Sequence, residues 1–247
     1  MQGIVFVPGI SGSELLYKGA AVPIWPPKIT DWPRYRELLE LLDPKDVSVR
    51  NVIDYVLGVI PIYNETEDDL RAIGSALNGA GNVAYLPAPY DWRADLLTAV
   101  DDLAGQVEKF SGSVSEITII SHSMGGLLTR LMLECKYAGA APPPWLNKIT
   151  RVLFVCTPHL GAPTALARIL GLETTEFVIQ GDQMKKFAGD PHFPAVYQLL
   201  PSANRGILFD TTDNKFVRYD DAGVIKAFGL SSQNLAALTK YSAALQP

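Results

Sequence analysis

Along the chain, short runs that are apolar at every position alternate with longer stretches in which apolar residues recur every three or four positions. The two periods predict different elements. Ile4 to Val7 is the first such run; it stops at Pro8-Gly9 and reads as a buried strand. Glu65 to Leu77 reads as a helix with a carboxylate-rich first turn, closed near Gly79, and Asn82 to Leu86 reads as a second strand. Between Asp95 and Phe110, the residues Leu96, Leu97, Val100, Leu103, Val107 and Phe110 fall on one helical face. The run Ile117-Thr118-Ile119-Ile120, a helical stretch Leu127 to Leu133 and another apolar strand, Val152 to Cys156, follow. Strands that are apolar throughout and separated by helices predict a parallel sheet covered on both faces. Such a sheet places its ligand site at the carboxyl ends of the strands.

Two segments break the alternation. Tyr17 to Tyr63, rich in Pro, Trp and Leu, interrupts the pattern right after the first strand and holds at most one short helix, Arg34 to Leu42. Insertions at that edge of a sheet are usually lids or caps. Beyond Pro163 the stretches Pro163 to Gly171, Ala195 to Leu200, Ala222 to Phe228 and Ser232 to Leu245 all read as helices or cap segments. No internal repeat is visible, and Pro142-Pro143-Pro144 reads as a surface loop. The expectation is one domain over residues 1–247, with a lid insertion at about 17–63 and a cap-like helical region at about 163–247.

Composition narrows the function classes. A chain of 247 residues that is 48% hydrophobic and 19% charged can bury one substantial core. Its net charge of −5 argues against a nucleic-acid partner and against a strongly basic membrane-binding surface, while leaving room for lipid substrates, which need only a local apolar entrance. Cys135 and Cys156 fall in segments that read as buried, so free buried thiols are expected rather than a disulfide. The opening Met1-Gln2-Gly3-Ile4-Val5-Phe6-Val7 is a strand without a basic leader and longer apolar stretch, so no signal peptide is expected. Val52 to Tyr63 is interrupted by Asp54, Gly58 and Pro61 and is too short to span a bilayer. As written the chain reads as soluble and cytoplasmic, with secretion left open should the N-terminus be incomplete. No pattern calls for a cofactor or a metal, and none speaks to the oligomeric state.

The chemistry is carried by Ser121-His122-Ser123-Met124-Gly125-Gly126, a sharp turn between an apolar strand and a helix. This is the signature of a nucleophile elbow, and with it of an α/β-hydrolase fold. The positions two before and two after the apex must be small for strand and helix to approach, and Ser121 and Gly125 are; the common pattern has Gly where Ser121 stands. Ser123 is the candidate nucleophile. Met124 offers a backbone N–H at the helix start, where donors are unpaired and the dipole favours negative charge. A second donor for an oxyanion hole comes from a loop after a neighbouring strand. Val7-Pro8-Gly9-Ile10-Ser11-Gly12-Ser13 fits, with Gly9 letting the backbone approach and Ile10 N–H as the donor. A phosphate-binding reading of this loop fails, since neither Gly-Lys-Ser/Thr nor G-x-G-x-x-G is present.

Six co-linear motifs, from Val7-Pro8-Gly9-Ile10-Ser11-Gly12-Ser13-Glu14-Leu15 through Trp25-Pro26, Pro89-Tyr90-Asp91-Trp92-Arg93, the 121–126 elbow and Cys156-Thr157-Pro158-His159-Leu160-Gly161-Ala162-Pro163 to Tyr197-Gln198-Leu199-Leu200-Pro201, resemble the lecithin:cholesterol acyltransferase family and its bacterial relatives. The resemblance implies an α/β-hydrolase that moves an acyl chain from a phospholipid or similar ester onto serine and then to an alcohol or water. It implies that Ile10 and Met124 line the oxyanion hole and that Trp25 sits in a lid region contacting lipid, with transient membrane or micelle contact through that lid. Trp25-Pro26-Pro27 reads equally as a rigid packed loop. Asp91 and Arg93 read as a structural network before they read as substrate contacts. His122 should point away from Ser123, and the loop at His159 borders the pocket as a wall.

In this fold the acid and histidine follow the nucleophile on loops after later strands. Only His159 and His192 follow Ser123, neither behind a late strand. The expectation is therefore a mostly parallel sheet whose late strands are missing, in a truncated acyltransferase-like chain without its own base. His159 and His192, the latter beside Asp190, are left as substitute bases. Two alternatives stand beside an acyltransferase or lipase using Ser123: a catalytically incomplete lipid-binding or partner-dependent fragment, and a general carboxylesterase on small esters.

Overall fold

The apolar runs assemble into one parallel sheet of four strands. The computed structural model describes residues 1–27, 43–77, 83–172 and 181–245. Its first part runs β1 (Gln2–Val7), β2 (Ser13–Tyr17), β3 (Val47–Val52), β4 (Tyr55–Val56), β5 (Ile60–Pro61), α1 (Thr66–Leu77), β6 (Val83–Pro87), α2 (Leu96–Ser111), β7 (Glu116–His122), α3 (Met124–Arg130) and β8 (Ile149–Val155). The sheet order is β6-β1-β7-β8, with every neighbouring pair parallel.

Register decides which side chains share a face, because successive residues of a strand point to opposite sides. Gly3 lies opposite Ile117 and Val5 opposite Ile119. That face belongs to α2, whose Phe110 ring would stand 2.5 Å from a Cβ at position 3. Ile4 lies opposite Thr118 and Phe6 opposite Ile120, on the face taken by α1, where Gly74 brings the helix down onto Ile4 and Val83. Helices thus cover both faces, as the α/β-hydrolase reading requires. α2 starts where Asp95 caps it, its carboxylate accepting the Leu97 N–H at 2.9 Å, and it buries Leu96, Ala99, Val100, Leu103, Ala104 and Val107. Each of its buried Leu and Val side chains contributes roughly 1.5–3 kcal/mol of burial energy.

β8 departs from the sequence expectation of a buried strand. It is an edge strand among the described residues, and Leu153, Phe154 and Val155 are 47%, 40% and 43% exposed. Cys156 is exposed and Cys135 half-buried; both are free thiols, so the expected burial of the pair is corrected while the unpaired state is as read. The physical reason is that apolar character predicts burial only where a neighbour exists to supply it. A groove of about 410 Å³ on the α1 face, lined by Ile4, Ile73, Gly74, Thr118, Ile120 and Leu153 among others, continues this exposed apolar surface.

The described part of the insertion between β1 and α1 holds strands where the sequence suggested none. β2 and β3 pair antiparallel with an irregularity between Ser13 and Leu15, and β4 pairs with β5. The helix expected at Arg34 to Leu42 lies outside the described residues. Trp25 is fully buried, its indole N–H donating to the Ser11 carbonyl at 2.7 Å and its ring edge-on to Trp92 at 5.4 Å. It therefore faces the core rather than a lipid-facing surface, because an indole with both its ring and its N–H satisfied inside loses both by turning outward.

The remaining elements are α4 (Thr164–Ile169), α5 (Gly181–Gly189), α6 (Ala195–Gln198), a small hairpin of β9 (Leu208–Asp210) and β10 (Lys215–Val217), α7 (Ala222–Phe228) and α8 (Ser232–Ala244). Phe187 of α5 and the 193–195 segment at the start of α6 dock on the Pro89–Arg93 loop. The fully buried Arg93 side chain forms a two-pronged pair with Asp91, at 2.9 and 2.8 Å, and lies 4.7 Å over the Phe193 ring. Gln198 of α6 accepts from Leu96 N–H at 2.9 Å and donates to Asp95 at 2.6 Å, tying α6 to the start of α2.

Three consequences can be measured. Arg93→Met strands the Asp91 carboxylate in a nearly dry site, and urea unfolding is expected to show a loss of about 3 kcal/mol, since removing one partner of a buried pair costs far more than the pair is worth. At Gly125, where α3 meets the end of β1, a Cβ would stand 2.3 Å from the Pro8 carbonyl oxygen and 2.6 Å from that of Val7. Gly125→Ala is expected to cost at least about 1–3 kcal/mol, lowering Tm by several degrees. Gly105→Ala, on α2 with open space around it, is expected to raise Tm slightly through helix propensity.

Candidate active site

Ser123 occupies the turn between β7 and α3 with φ 51° and ψ −124°, a left-handed conformation that non-glycine residues rarely adopt. Such a backbone costs on the order of 1–3 kcal/mol and persists only where its surroundings over-determine it. Here they do. Ser123 N–H donates to Val155 O at 2.8 Å across to β8, Gly125 sits against β1, and a Cβ at Gly126 would fall 2.0 Å from the Thr157 hydroxyl. Ser121, in the place where the common pattern has Gly, is fully buried, and its Oγ lies 2.7 Å from Thr129 Oγ1. Thr129 spends its own proton on the Gly125 carbonyl at 2.9 Å, so Ser121 is the donor to Thr129 and stitches strand to helix. The Ser123 hydroxyl itself does not cap α3, and among the described residues it has no hydrogen-bond partner.

The loop after β1 lies against this serine. A Cβ at Gly9 would be 3.0 Å from Ser123 Cβ and 3.1 Å from His122 Nδ1, so any other residue would have to push these neighbours back by a few tenths of an ångström. The loop turns back on itself through Gly12 N–H donating to Gly9 O at 3.1 Å. It is held from outside at several points: Trp25 Nε1 donates to Ser11 O at 2.7 Å, Trp92 Nε1 to Ser13 O at 3.3 Å, and Tyr90 N–H to Ser13 Oγ at 3.1 Å. Among the described residues neither the Ile10 nor the Met124 amide N–H meets an acceptor. A serine hydroxyl and two uncommitted backbone donors, on two elements in contact, form the kind of arrangement that receives a developing oxyanion.

The histidines are elsewhere. The chain contains three. His159 is exposed on the loop after β8, its ring edge-on to Phe154 at 4.9 Å. His192, 56% exposed, takes Asp190 as partner at 2.8 Å through Nδ1, the pairing anticipated from their proximity in sequence. Neither is hydrogen-bonded to Ser123. His122 points to the opposite face of the sheet from Ser121, as the alternation of a strand requires. There its Nδ1 lies 2.7 Å from the Tyr63 hydroxyl, and burial lowers its pKa below the ordinary histidine value, favouring the neutral ring.

Tyr63 is the residue that sequence reasoning overlooked. It closes the insertion just before α1, and its hydroxyl also accepts the Gly9 N–H at 3.0 Å. No spacing or motif marks it; a single aromatic after a proline-rich stretch has no signature of its own. Among the described residues no cluster of three or more His, Cys, Asp or Glu is placed to hold a metal, and no helix is long and apolar enough to cross a membrane.

Comparison with known proteins agrees with this picture. A solved structure described as the crystal structure of the Tle4-Tli4 complex superposes with a TM-score of 0.52 at 16% identity, over 89% of this chain and 60% of the neighbour's. That likeness shows the fold, and this chain spans 60% of the length of that neighbour. A comparison with curated proteins gave no match. The family model for lecithin:cholesterol acyltransferase matches residues 48–226, a span that takes in the Pro89–Arg93 loop, the elbow at Ser123, the 156–163 loop and Tyr197–Pro201. With more than half of its length inside that match, and its parallel sheet folded as in an α/β-hydrolase, the chain belongs to the lecithin:cholesterol acyltransferase family.

Proposed function

We propose that this chain performs serine-dependent acyl transfer on lipid esters through an acyl-enzyme at Ser123, with the Ile10 and Met124 amides as the oxyanion hole. The observation that carries the reading is the strained serine whose hydroxyl is unspent, lying against a loop with an unspent amide. In the first step the Ser123 Oγ–acyl bond forms, the ester C–O bond breaks, and the hydroxyl proton leaves with the departing alcohol. In the second, an alcohol or water attacks the acyl carbon, Oγ departs and regains a proton. The insertion at 17–63 acts as a lid making transient contact with a membrane or micelle, and the helices beyond 163 form a cap.

A second reading is favoured by one observation, that none of the three histidines is hydrogen-bonded to Ser123. In this reading the described residues bind lipid and hold the serine and the oxyanion donors, while the proton-transfer base comes from elsewhere. The two readings differ in turnover. Without a base, the oxyanion hole and binding still act, so reactivity is reduced rather than abolished.

A serine-directed p-nitrophenyl phosphonate bearing an alkyl chain is expected to label the protein slowly at Ser123, and Ser123→Ala to abolish the label, as read by intact mass. Ester turnover is expected to lie about 10⁴-fold below that of a serine esterase with an imidazole in place. His159→Ala and His192→Ala are each expected to leave it within a few-fold. Labelling that survives Ser123→Ala would overturn the acyl-enzyme; fast turnover abolished by either histidine substitution would overturn the absence of a base.

A further inference from the structure

We infer that Tyr63 is a positioning residue for acyl transfer: its hydroxyl couples the oxyanion loop to the strand that carries Ser123, and through it the insertion sets the position of the Ile10 donor. The inference rests on the acyl-transfer reading of Ser123 and goes beyond it.

Hydrogen-bond bookkeeping gives the coupling a direction. A phenol has one proton to give. At Tyr63 the oxygen accepts the Gly9 N–H at 3.0 Å, and the oxygen lies 2.7 Å from His122 Nδ1. Burial favours the neutral His122 ring, and its Nε2–H tautomer is the one in which Nδ1 accepts the Tyr63 proton while the phenol oxygen keeps the Gly9 N–H. In that tautomer the chain reads Gly9 N–H to Tyr63 oxygen, then Tyr63 O–H to His122 Nδ1. Each bond polarises the next in the same sense, which strengthens both.

The ring is held as firmly as the hydroxyl. It packs edge-on against Phe6 at 5.1 Å and against His122 at 5.7 Å. Phe6 is in β1 and His122 in β7, so the ring rests on the two strands whose carboxyl ends carry the loop and the serine. Removing only the hydroxyl leaves this packing in place. What it takes away is the acceptor for Gly9, one residue before Ile10, in a loop that approaches Ser123 to within van der Waals contact. Freed of Tyr63, Gly9 N–H is the nearest competitor of Ile10 N–H for any oxyanion, and the peptide between them can rotate. An oxyanion donor acts through its position, and a displaced donor loses much of the roughly 10²–10³-fold that one donor is worth.

The test is the phosphonate reaction of the full 247-residue chain, analysed for both the maximal labelling rate kinact and the half-saturating concentration KI. In that reaction the Ser123 Oγ–P bond forms, p-nitrophenolate leaves, and the hydroxyl proton passes to solvent. Tyr63→Phe is expected to lower kinact roughly tenfold or more and to leave KI within about twofold, since the alkyl chain binds elsewhere. His122→Leu is expected to act likewise, His122→Asn to restore most of the rate by presenting a side-chain acceptor near Nδ1, and the double variant Tyr63→Phe/His122→Leu to be no slower than either alone, because both break the same link. Tyr85→Phe, outside the link, is expected to leave kinact unchanged. Melting temperature monitors folding of each variant. Ser123-dependent labelling of the unaltered chain with unchanged kinact in Tyr63→Phe, or equal losses in His122→Leu and His122→Asn, would overturn the positioning role alone. Failure of the unaltered chain to label at Ser123 would instead overturn the acyl-transfer reading, and this inference with it.

Discussion

The site depends on how closely α3 can approach the end of β1. With no side chain at Gly125 the helix start rests on the carbonyls of Val7 and Pro8, and the turn before it must then be sharp. Sharpness forces Ser123 into its left-handed backbone, lifts its hydroxyl clear of the capping role that a serine at a helix start ordinarily takes, and sets it against Gly9. The Ser121–Thr129–Gly125 hydrogen bonds brace the same junction from inside. Geometry here precedes chemistry: the serine is available because the backbone around it has nowhere else to go.

Three parts of the chain that look separate in sequence share one aromatic column. Trp25 of the insertion packs on Trp92 of the Pro89–Arg93 loop, Trp92 approaches Phe187 of α5 at 6.1 Å, and Phe187 stacks on Phe193 at 4.9 Å. One indole N–H donates to Ser11 in the loop between β1 and β2 and the other to Ser13 at the start of β2. Insertion, central loop and C-terminal helices are therefore packed together on the side where the Ile10 and Met124 amides lie, and burial energy from all three supports the loop that holds Ile10.

How much of this was legible beforehand depended on how local the signal was. The helix expected from Asp95 to Phe110 is α2 with Asp95 as its cap, and Ser123, Met124 and Ile10 fall together because one backbone signature, small residues around a serine and a glycine after a strand, encodes the approach. β3 was there to be found: Val47 and Val49 alternate with Ser48 and Arg50 with the period of a strand, but a proline-rich neighbourhood suggested loop. The orientation of Trp25 and the linking role of Tyr63 were out of reach, since each is decided by residues 14 and 59 positions away. The exposure of β8 escaped for a different reason: hydrophobicity states what a strand needs, and only the fold states whether it is supplied.

That unmet need has a colloidal side. The outer edge of β8 offers a row of peptide N–H and C=O groups, flanked by Leu153, Phe154 and Val155, and within the strand Arg151 is the one charged residue. Edges of this kind are ordinarily guarded by lysine, proline or a covering segment. Among the described residues no segment pairs with this edge and the strand holds neither lysine nor proline; copies of the chain share a net charge of −5, a repulsion whose range shrinks to about 8 Å at physiological ionic strength. Added salt, by shortening that range, removes what opposes the meeting of two such edges.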